Sequence, residues 1–234
     1  MSATALVYAV LSGVLPSFIW LFFWLREDRL NPEPRSLLVA CFFGGISAVI
    51  AAVFAEKYIA NIYTDPSIRY TLWAAIEEVF KFVAVAVIAL HNKAYNEPID
   101  AMIYAIVVAI GFSALENTLF IFGPLSGGEI VKSIVTGNMR FIGATLLHVI
   151  ASGAVGFALA FSYRKSRPLR TLYAAFGLIL AVILHTTFNT LIIMGSGRET
   201  LSALLLVWSA AVVFFALFEV LKYYRYRRLE KNTC

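Results

Sequence analysis

Apolar runs, each about long enough to cross a lipid bilayer, follow one another along the whole chain with only short polar joins between them. The hydrocarbon core of a bilayer is about 30 Å thick, and a helix rising 1.5 Å per residue needs about 20 residues to cross it. Runs of that kind fall at roughly 3–25, 37–56, 70–90, 101–123, 139–161, 171–194 and 201–221. In hydrocarbon every backbone group must be bonded internally, which leaves helices as the form for such runs. The sequence therefore predicts an all-α, polytopic membrane helix bundle of about seven transmembrane helices. Composition agrees, with 61% of the 234 residues hydrophobic, 14% charged and a mean hydropathy of +0.82; a soluble domain carries about 25% charged residues. Water-soluble nucleic-acid binders, disordered chains and secreted disulfide scaffolds are excluded. Cys41, in an apolar run, and Cys234, at the C-terminus, suggest neither a disulfide nor a metal site. With no repeat or soluble insert, residues 1–234 read as a single transmembrane domain with a basic tail at 222–234. The first run is too long for a cleavable signal peptide, and no lysine or arginine precedes Arg26.

Lysine and arginine positions set an orientation. Five (Lys57, Arg69, Lys132, Arg140 and Arg198) fall on the side of the N-terminus, thirteen fall on the other, and Lys81 lies inside a span. Cytoplasmic joins carry the excess of basic residues, so the N-terminus is expected outside and the C-terminus in the cytoplasm. The net charge of +5 then reports topology, and no nucleic acid is expected as a partner. Trp20, Trp24, Tyr223 and Tyr224 suit the aromatic belts at the membrane surfaces, and Glu56, Lys57 and Glu219 read as interfacial.

Charged side chains inside spans cost about 2.5–3.5 kcal/mol each on insertion scales and mark functional sites. The third span carries Glu77, Glu78 and Lys81, the fourth Glu116 and Asn117, the fifth His148 with Ser152 and Gly156 at four-residue steps, and the sixth His185 with Asn189. From the predicted ends, Glu77 and Glu78 lie about 10–12 Å below the outer surface, Glu116 about 10 Å and both histidines about 13–14 Å. Four helices, two running each way, thus bring their polar residues to one layer in the outer half of the membrane.

Imidazole and carboxylate groups are the usual ligands of a catalytic zinc ion. His148, His185 and Glu116 as ligands, with Glu77 or Glu78 as base, make a complete hydrolytic set. Adjacent glutamates project about 100° apart, so only one can point fully inward. The other can ligate from the side or pair with Lys81, three residues on. Asn189, one turn from His185, is placed to donate to a developing oxyanion. The join from Pro124 to Asn138, with Gly127 and Gly128, is expected to be a lid or substrate gate above the site.

Four segments, Glu77-Glu78-x-x-Lys81, Phe112-x-x-x-Glu116-Asn117-x-x-Phe120, His148-x-x-x-Ser152-x-x-x-Gly156 and His185-x-x-x-Asn189, resemble in order the motif series of the PrsW family of intramembrane proteases. Asp28-Arg29-Leu30-Asn31-Pro32-Glu33-Pro34 and Glu97-Pro98-Ile99-Asp100 also resemble that family. The match runs from about residue 26 to 190. The chain is more distantly similar to the type II CAAX prenyl endopeptidases, which carry histidine where this chain has Glu116. The resemblance implies a zinc-dependent protease in the prokaryotic plasma membrane, acting on a single-span membrane protein near the extracytoplasmic face. It further implies a stress response, in which the first cut of an anti-sigma factor is the family's best-known reaction. The residues alone also admit a metal-free glutamate pair sharing a proton, an ion-coupled transporter, or a non-enzymatic scaffold. Seven unequal spans with their polar layer off the midplane speak against the transporter.

Overall fold

In a computed structural model the described residues are 3–27, 31–193 and 195–233, with side chains described for all of these except 27 and 224–233. The chain forms α1 (Ala3–Glu27), α2 (Arg35–Ile62), α3 (Pro66–Ile88), α4 (Asp100–Ser126) and α5 (Ile130–Met139). A π-helical segment (Arg140–Ala144) then leads into α6 (Thr145–Ser162), followed by α7 (Arg167–Ile193) and α8 (Gly197–Thr233). No strand occurs among the described residues. Among the described residues six stretches are long and apolar enough to cross a membrane, one of them running unbroken from Ile130 to Ser162. The seventh long helix, α3, spans 23 residues and carries Glu77, Glu78 and Lys81 through its middle. The surface of the bundle is apolar: Phe22, Phe54 and Val87 are each at least 69% exposed, as lipid-facing residues should be. The chain is a multi-pass helical membrane protein.

α4 is the centre of the bundle. Every residue from Asp100 to Ala114 is buried, the mark of a helix that is apolar all round, and α1, α2, α3, α5 and α6 pack against it. Hydrocarbon supplies no solvophobic force between helices, so close backbone approach has to hold them together. Gly45 and Gly111 provide it between α2 and α4: a β-carbon on Gly45 would strike the Val108 carbonyl, and one on Gly111 the Phe42 carbonyl. Between α6 and α4, a β-carbon on Gly156 would stand 2.6 Å from Met102 Cα. Gly111→Ala is accordingly expected to cost at least about 1–3 kcal/mol, read as a lower thermal midpoint of the detergent-solubilised protein.

The start of α3 is set by local chemistry. Asp65 Oδ1 accepts from the backbone of Ser67 at 2.8 Å and of Ile68 at 3.1 Å, and Pro66 fills the first helical position, where no amide donor is needed. Glu77 and Glu78 follow about three turns later.

The join 124–138 is mostly helical: α4 runs to Ser126 and α5 begins at Ile130. Between them lies a tight turn in which Gly128 takes φ +80°, a left-handed conformation that glycine adopts without strain. Trp24 is not in an interface belt: it is 1% exposed and packs among Phe214, Phe215 and Phe218 of α8. Several helices also outrun their predicted ends, α2 to Ile62 and α8 to Thr233. Cys41 is a buried free thiol. Asp28, Arg29, Leu30, Cys234 and the side chains of the basic tail beyond Tyr223, with Tyr224 among them, lie outside the described residues.

Candidate active site

α3 turns Glu77, Glu78 and Lys81 into the bundle, where they are 6%, 1% and 1% exposed. Lys81 organises the centre. Its ammonium has three donors: it gives one to Glu78 Oε1 at 2.6 Å and one to His148 Nδ1 at 2.9 Å, and it sits 4.5 Å from the centroid of the Phe112 ring. The pairing of Glu78 with Lys81 is one of the two arrangements open to an adjacent glutamate pair.

His185 Nδ1 stands 2.8 Å from the same Glu78 oxygen. A carboxylate can only accept, so Nδ1 donates this bond, and in the neutral tautomer Nε2 carries no proton. That nitrogen faces Glu77 Oε2 at 3.8 Å. Glu77 Oε2 is buried and has no hydrogen-bond partner. Donor atoms of Glu77, His148 and His185 all lie within 4.8 Å of one another, and all three side chains are buried. The two imidazole rings meet edge to face at 5.0 Å.

Glu116, from α4, stands beside this group with partners of its own. It accepts from His148 Nε2 at 2.8 Å and is ion-paired to Arg140. Arg140 Nε also donates to Asn117 Oδ1 at 2.6 Å, and the guanidinium carbon lies 4.0 Å from the Phe120 ring centroid. Asn117 Nδ2 in turn donates to Thr145 Oγ1 at 2.9 Å and to Ser113 Oγ at 3.3 Å. Arg140 opens the π-helical turn Arg140–Ala144, which leads directly into Thr145; such turns recur at functional sites.

The structure thus brings together Glu77, Glu78, Lys81, Glu116, His148 and His185 from four helices. It differs from the sequence reading in the carboxylate grouped with the two histidines, which is Glu77, whereas Glu116 is held by Arg140. Asn189 is half-buried, makes no hydrogen bond among the described residues, and is absent from the cavity wall at Glu77 and Glu116. The Ser152 hydroxyl is buried without a partner, on the wall of a small void it shares with Glu78 and Lys81. The two flanking motifs form a separate polar knot at the start of α4. There Asp100 Oδ2 accepts from the backbone of Asn96 and Glu97, and the Tyr104 hydroxyl donates to Glu33.

Sequence reasoning missed Arg140 and Glu56. Arg140 stood at a predicted span end and counted as a surface charge. Glu56 lines a cavity of about 260 Å³ between α2 and α4 together with Glu77 and Glu116. A charge just inside a long apolar run was the available signal in both cases.

The donors suit a divalent ion. Glu78 has Lys81 and Glu116 has Arg140, but among the described residues Glu77 has no lysine or arginine and faces His185 Nε2 at 3.8 Å, and an uncompensated buried carboxylate is costly. Two imidazoles and one carboxylate are a familiar zinc set. His148 Nε2, which shares a proton with Glu116 in this arrangement, would exchange that proton for the ion, since ligands must bind deprotonated.

The sequence profile of the family described as PrsW family intramembrane metalloprotease matches residues 33–220. The chain is 26% identical over 188 residues to Protease PrsW of Geobacillus kaustophilus, covering 78% of each protein. It is 23% identical over 230 residues to Protease PrsW of Oceanobacillus iheyensis, covering 95% of this chain and 96% of that one. To Protease PrsW of Bacillus subtilis it is 19% identical over 187 residues, 78% of this chain and 82% of that one. No solved structure matches the chain. Relatives of this kind, with six membrane-length helices, make it a multi-pass prokaryotic membrane peptidase. A profile that fits most of the sequence, and a buried acid–imidazole cluster at the motifs that first suggested the likeness, agree: the chain belongs to the PrsW family of intramembrane proteases.

Proposed function

We propose that this protein is an intramembrane metalloprotease that hydrolyses a peptide bond of a single-span or membrane-anchored protein near the extracytoplasmic face. The observation that carries the reading is Glu77 Oε2, buried and without a hydrogen-bond partner, facing His185 Nε2 at 3.8 Å, with a His148 nitrogen within 4.8 Å. His148, His185 and Glu77 would hold the ion. Zinc or another divalent metal, once bound, supplies a Lewis acid that polarises a carbonyl and acidifies a water. Glu78 fixes the His185 tautomer, and Lys81 fixes Glu78 and His148. Glu116 shares the cavity wall with Glu77 and is the group that takes the water's proton and passes it to the leaving amine. Arg140 and Asn117 keep that carboxylate turned toward His148. Apolar walls at Phe112, Leu119 and Phe120 limit the water around these groups, which strengthens every charge interaction there.

The charge bias between the two sides supports the outward orientation. Moving Arg140 from the surface into the cluster leaves four basic residues against thirteen, and the bias stands. An outer-half site suits the first cut of a membrane-anchored anti-sigma factor in a stress response, the substrate class that the family resemblance suggests. The lipid bilayer is the other partner.

The test is metal dependence. The purified protein in detergent should lose cleavage of a single-span substrate in a strong chelator and regain it with zinc, and elemental analysis should find about one ion per chain. Full turnover in chelator with no metal present would replace this reading with the metal-free glutamate pair.

A further inference from the structure

The cavity between α2 and α4 has a third carboxylate that the hydrolytic machinery does not use. Glu56 lies six residues before the end of α2 at Ile62, about 9 Å along the helix axis. Its backbone is fixed, because the Trp73 indole donates to the Glu56 carbonyl at 3.1 Å. Its side chain lines the cavity with Glu77 and Glu116, and the remaining wall is hydrocarbon and aromatic: Val49, Ala52, Val53, Phe112, Leu119 and Phe120. Among the described residues the Glu56 carboxylate makes no hydrogen bond and no ion pair. Glu116 has Arg140 and Glu78 has Lys81, so among the described residues Glu56 stands on the cavity wall as an acid with no lysine or arginine beside it. On the same cavity wall, Glu77 is 6% exposed and its Oε2 has no hydrogen-bond partner.

We infer that Glu56 anchors a subsite that takes the ammonium or guanidinium group of a lysine or arginine in the substrate. The inference rests on the protease reading of the neighbouring cluster and adds a determinant of which segments that cluster meets.

Two observations select a cationic side chain over a second metal ion. Metal ions need several close donors, and among the described residues the group of His, Asp and Glu donors lying within reach of one another is Glu77, His148 and His185, without Glu56. A lysine or arginine needs only one carboxylate for its head, and its long alkyl stem packs on apolar wall, as lysine and arginine stems do at membrane depth. The wall also accepts such a group: the ring of Phe120 already carries the Arg140 guanidinium at 4.0 Å. A cation brought in by the substrate would sit between Glu56 and the catalytic carboxylates and hold the adjoining backbone against the site.

The test uses a synthetic single-span leucine/alanine peptide carrying one arginine about 9 Å below its outer end, and otherwise identical peptides with glutamine or glutamate there. Binding is measured in nanodiscs by fluorescence anisotropy, with His185→Ala as the background so that the result does not depend on turnover. The arginine peptide should bind about 10–100-fold more tightly than the glutamine peptide, the range of one charge-assisted hydrogen bond. Glu56→Gln should bring the two within about twofold, and Glu56→Lys should favour the glutamate peptide by the same mechanism. In the protein with His185 intact, the cleavage ratio of arginine to glutamine peptide should fall with Glu56→Gln in the same proportion. An arginine preference that Glu56→Gln leaves unchanged, no preference at all, or a second bound metal ion lost on Glu56→Gln would overturn the assignment. Chelator-resistant cleavage would instead strike at the metalloprotease reading and leave the binding ratios to be judged by themselves.

Discussion

Glu77→Gln is expected to leave the bundle assembled while removing both peptide-bond cleavage and bound metal. Glutamine has nearly the same shape, and it replaces a buried carboxylate that has no cation of its own. Folding stability should hold or rise, because an uncompensated charge is taken out of a low-dielectric site. Loss of the ion removes the Lewis acid, and loss of a single acid or base group costs about 10²–10⁴-fold in rate. Glu116→Gln is the informative partner. It should reduce turnover by a similar factor but keep the metal, since Glu116 is bonded to His148 and Arg140 and lies outside the Glu77–His148–His185 donor group. The opposite result, metal retained in Glu77→Gln and lost in Glu116→Gln, would restore the ligand set read from sequence, with Glu77 as the base. Wild-type turnover in both variants would sink carboxylate chemistry at this site altogether. Turnover of a model single-span substrate and elemental analysis of each purified variant decide among these outcomes.

The level of the site was legible in the sequence for a physical reason. A membrane gives every spanning helix a common origin, so counting residues at 1.5 Å each places Glu77, Glu78, Glu116, His148 and His185 in one layer before any contact is known. Which group takes which partner was not legible, because that depends on how each helix is rotated about its axis and on side-chain reach. Glu78 and Lys81 were predictable as neighbours on one helix face, but the bond from His185 to Glu78 spans 107 residues of chain. The errors at Arg140 and Glu56 share one cause. In sequence an apolar run reads as ending at its first charge, whereas the helix continues inward or outward when a partner or a cavity is waiting. The stretch that holds Arg140 starts at Ile130, and α2 runs six residues past Glu56. Trp24 was misplaced for a related reason: its partners Phe214, Phe215 and Phe218 belong to the last helix, and nothing within α1 indicates that they cover it.

His185→Ala and His148→Ala should each abolish stoichiometric metal binding, and Glu78→Gln should weaken it by about 10–100-fold without abolishing it, as loss of a carboxylate behind a ligating histidine does. The grading follows from the bonds. Either alanine variant removes an imidazole from a set of three donors, and two remaining protein ligands do not hold a catalytic zinc. Glu78→Gln keeps an oxygen that can accept from His185 Nδ1 and from Lys81 Nζ, now at 2.8 and 2.6 Å, so the His185 tautomer survives. What is lost is the negative charge that raises the basicity of His185 and balances Lys81. The buried ammonium is then left with neutral partners, so this variant should also lower the thermal midpoint, whereas Glu77→Gln should not. Competition against a chromophoric zinc chelator measures the three affinities on one scale. Full occupancy in either histidine variant would remove that residue from the ligand set. Unchanged affinity in Glu78→Gln would mean that the second glutamate serves only the ion pair with Lys81.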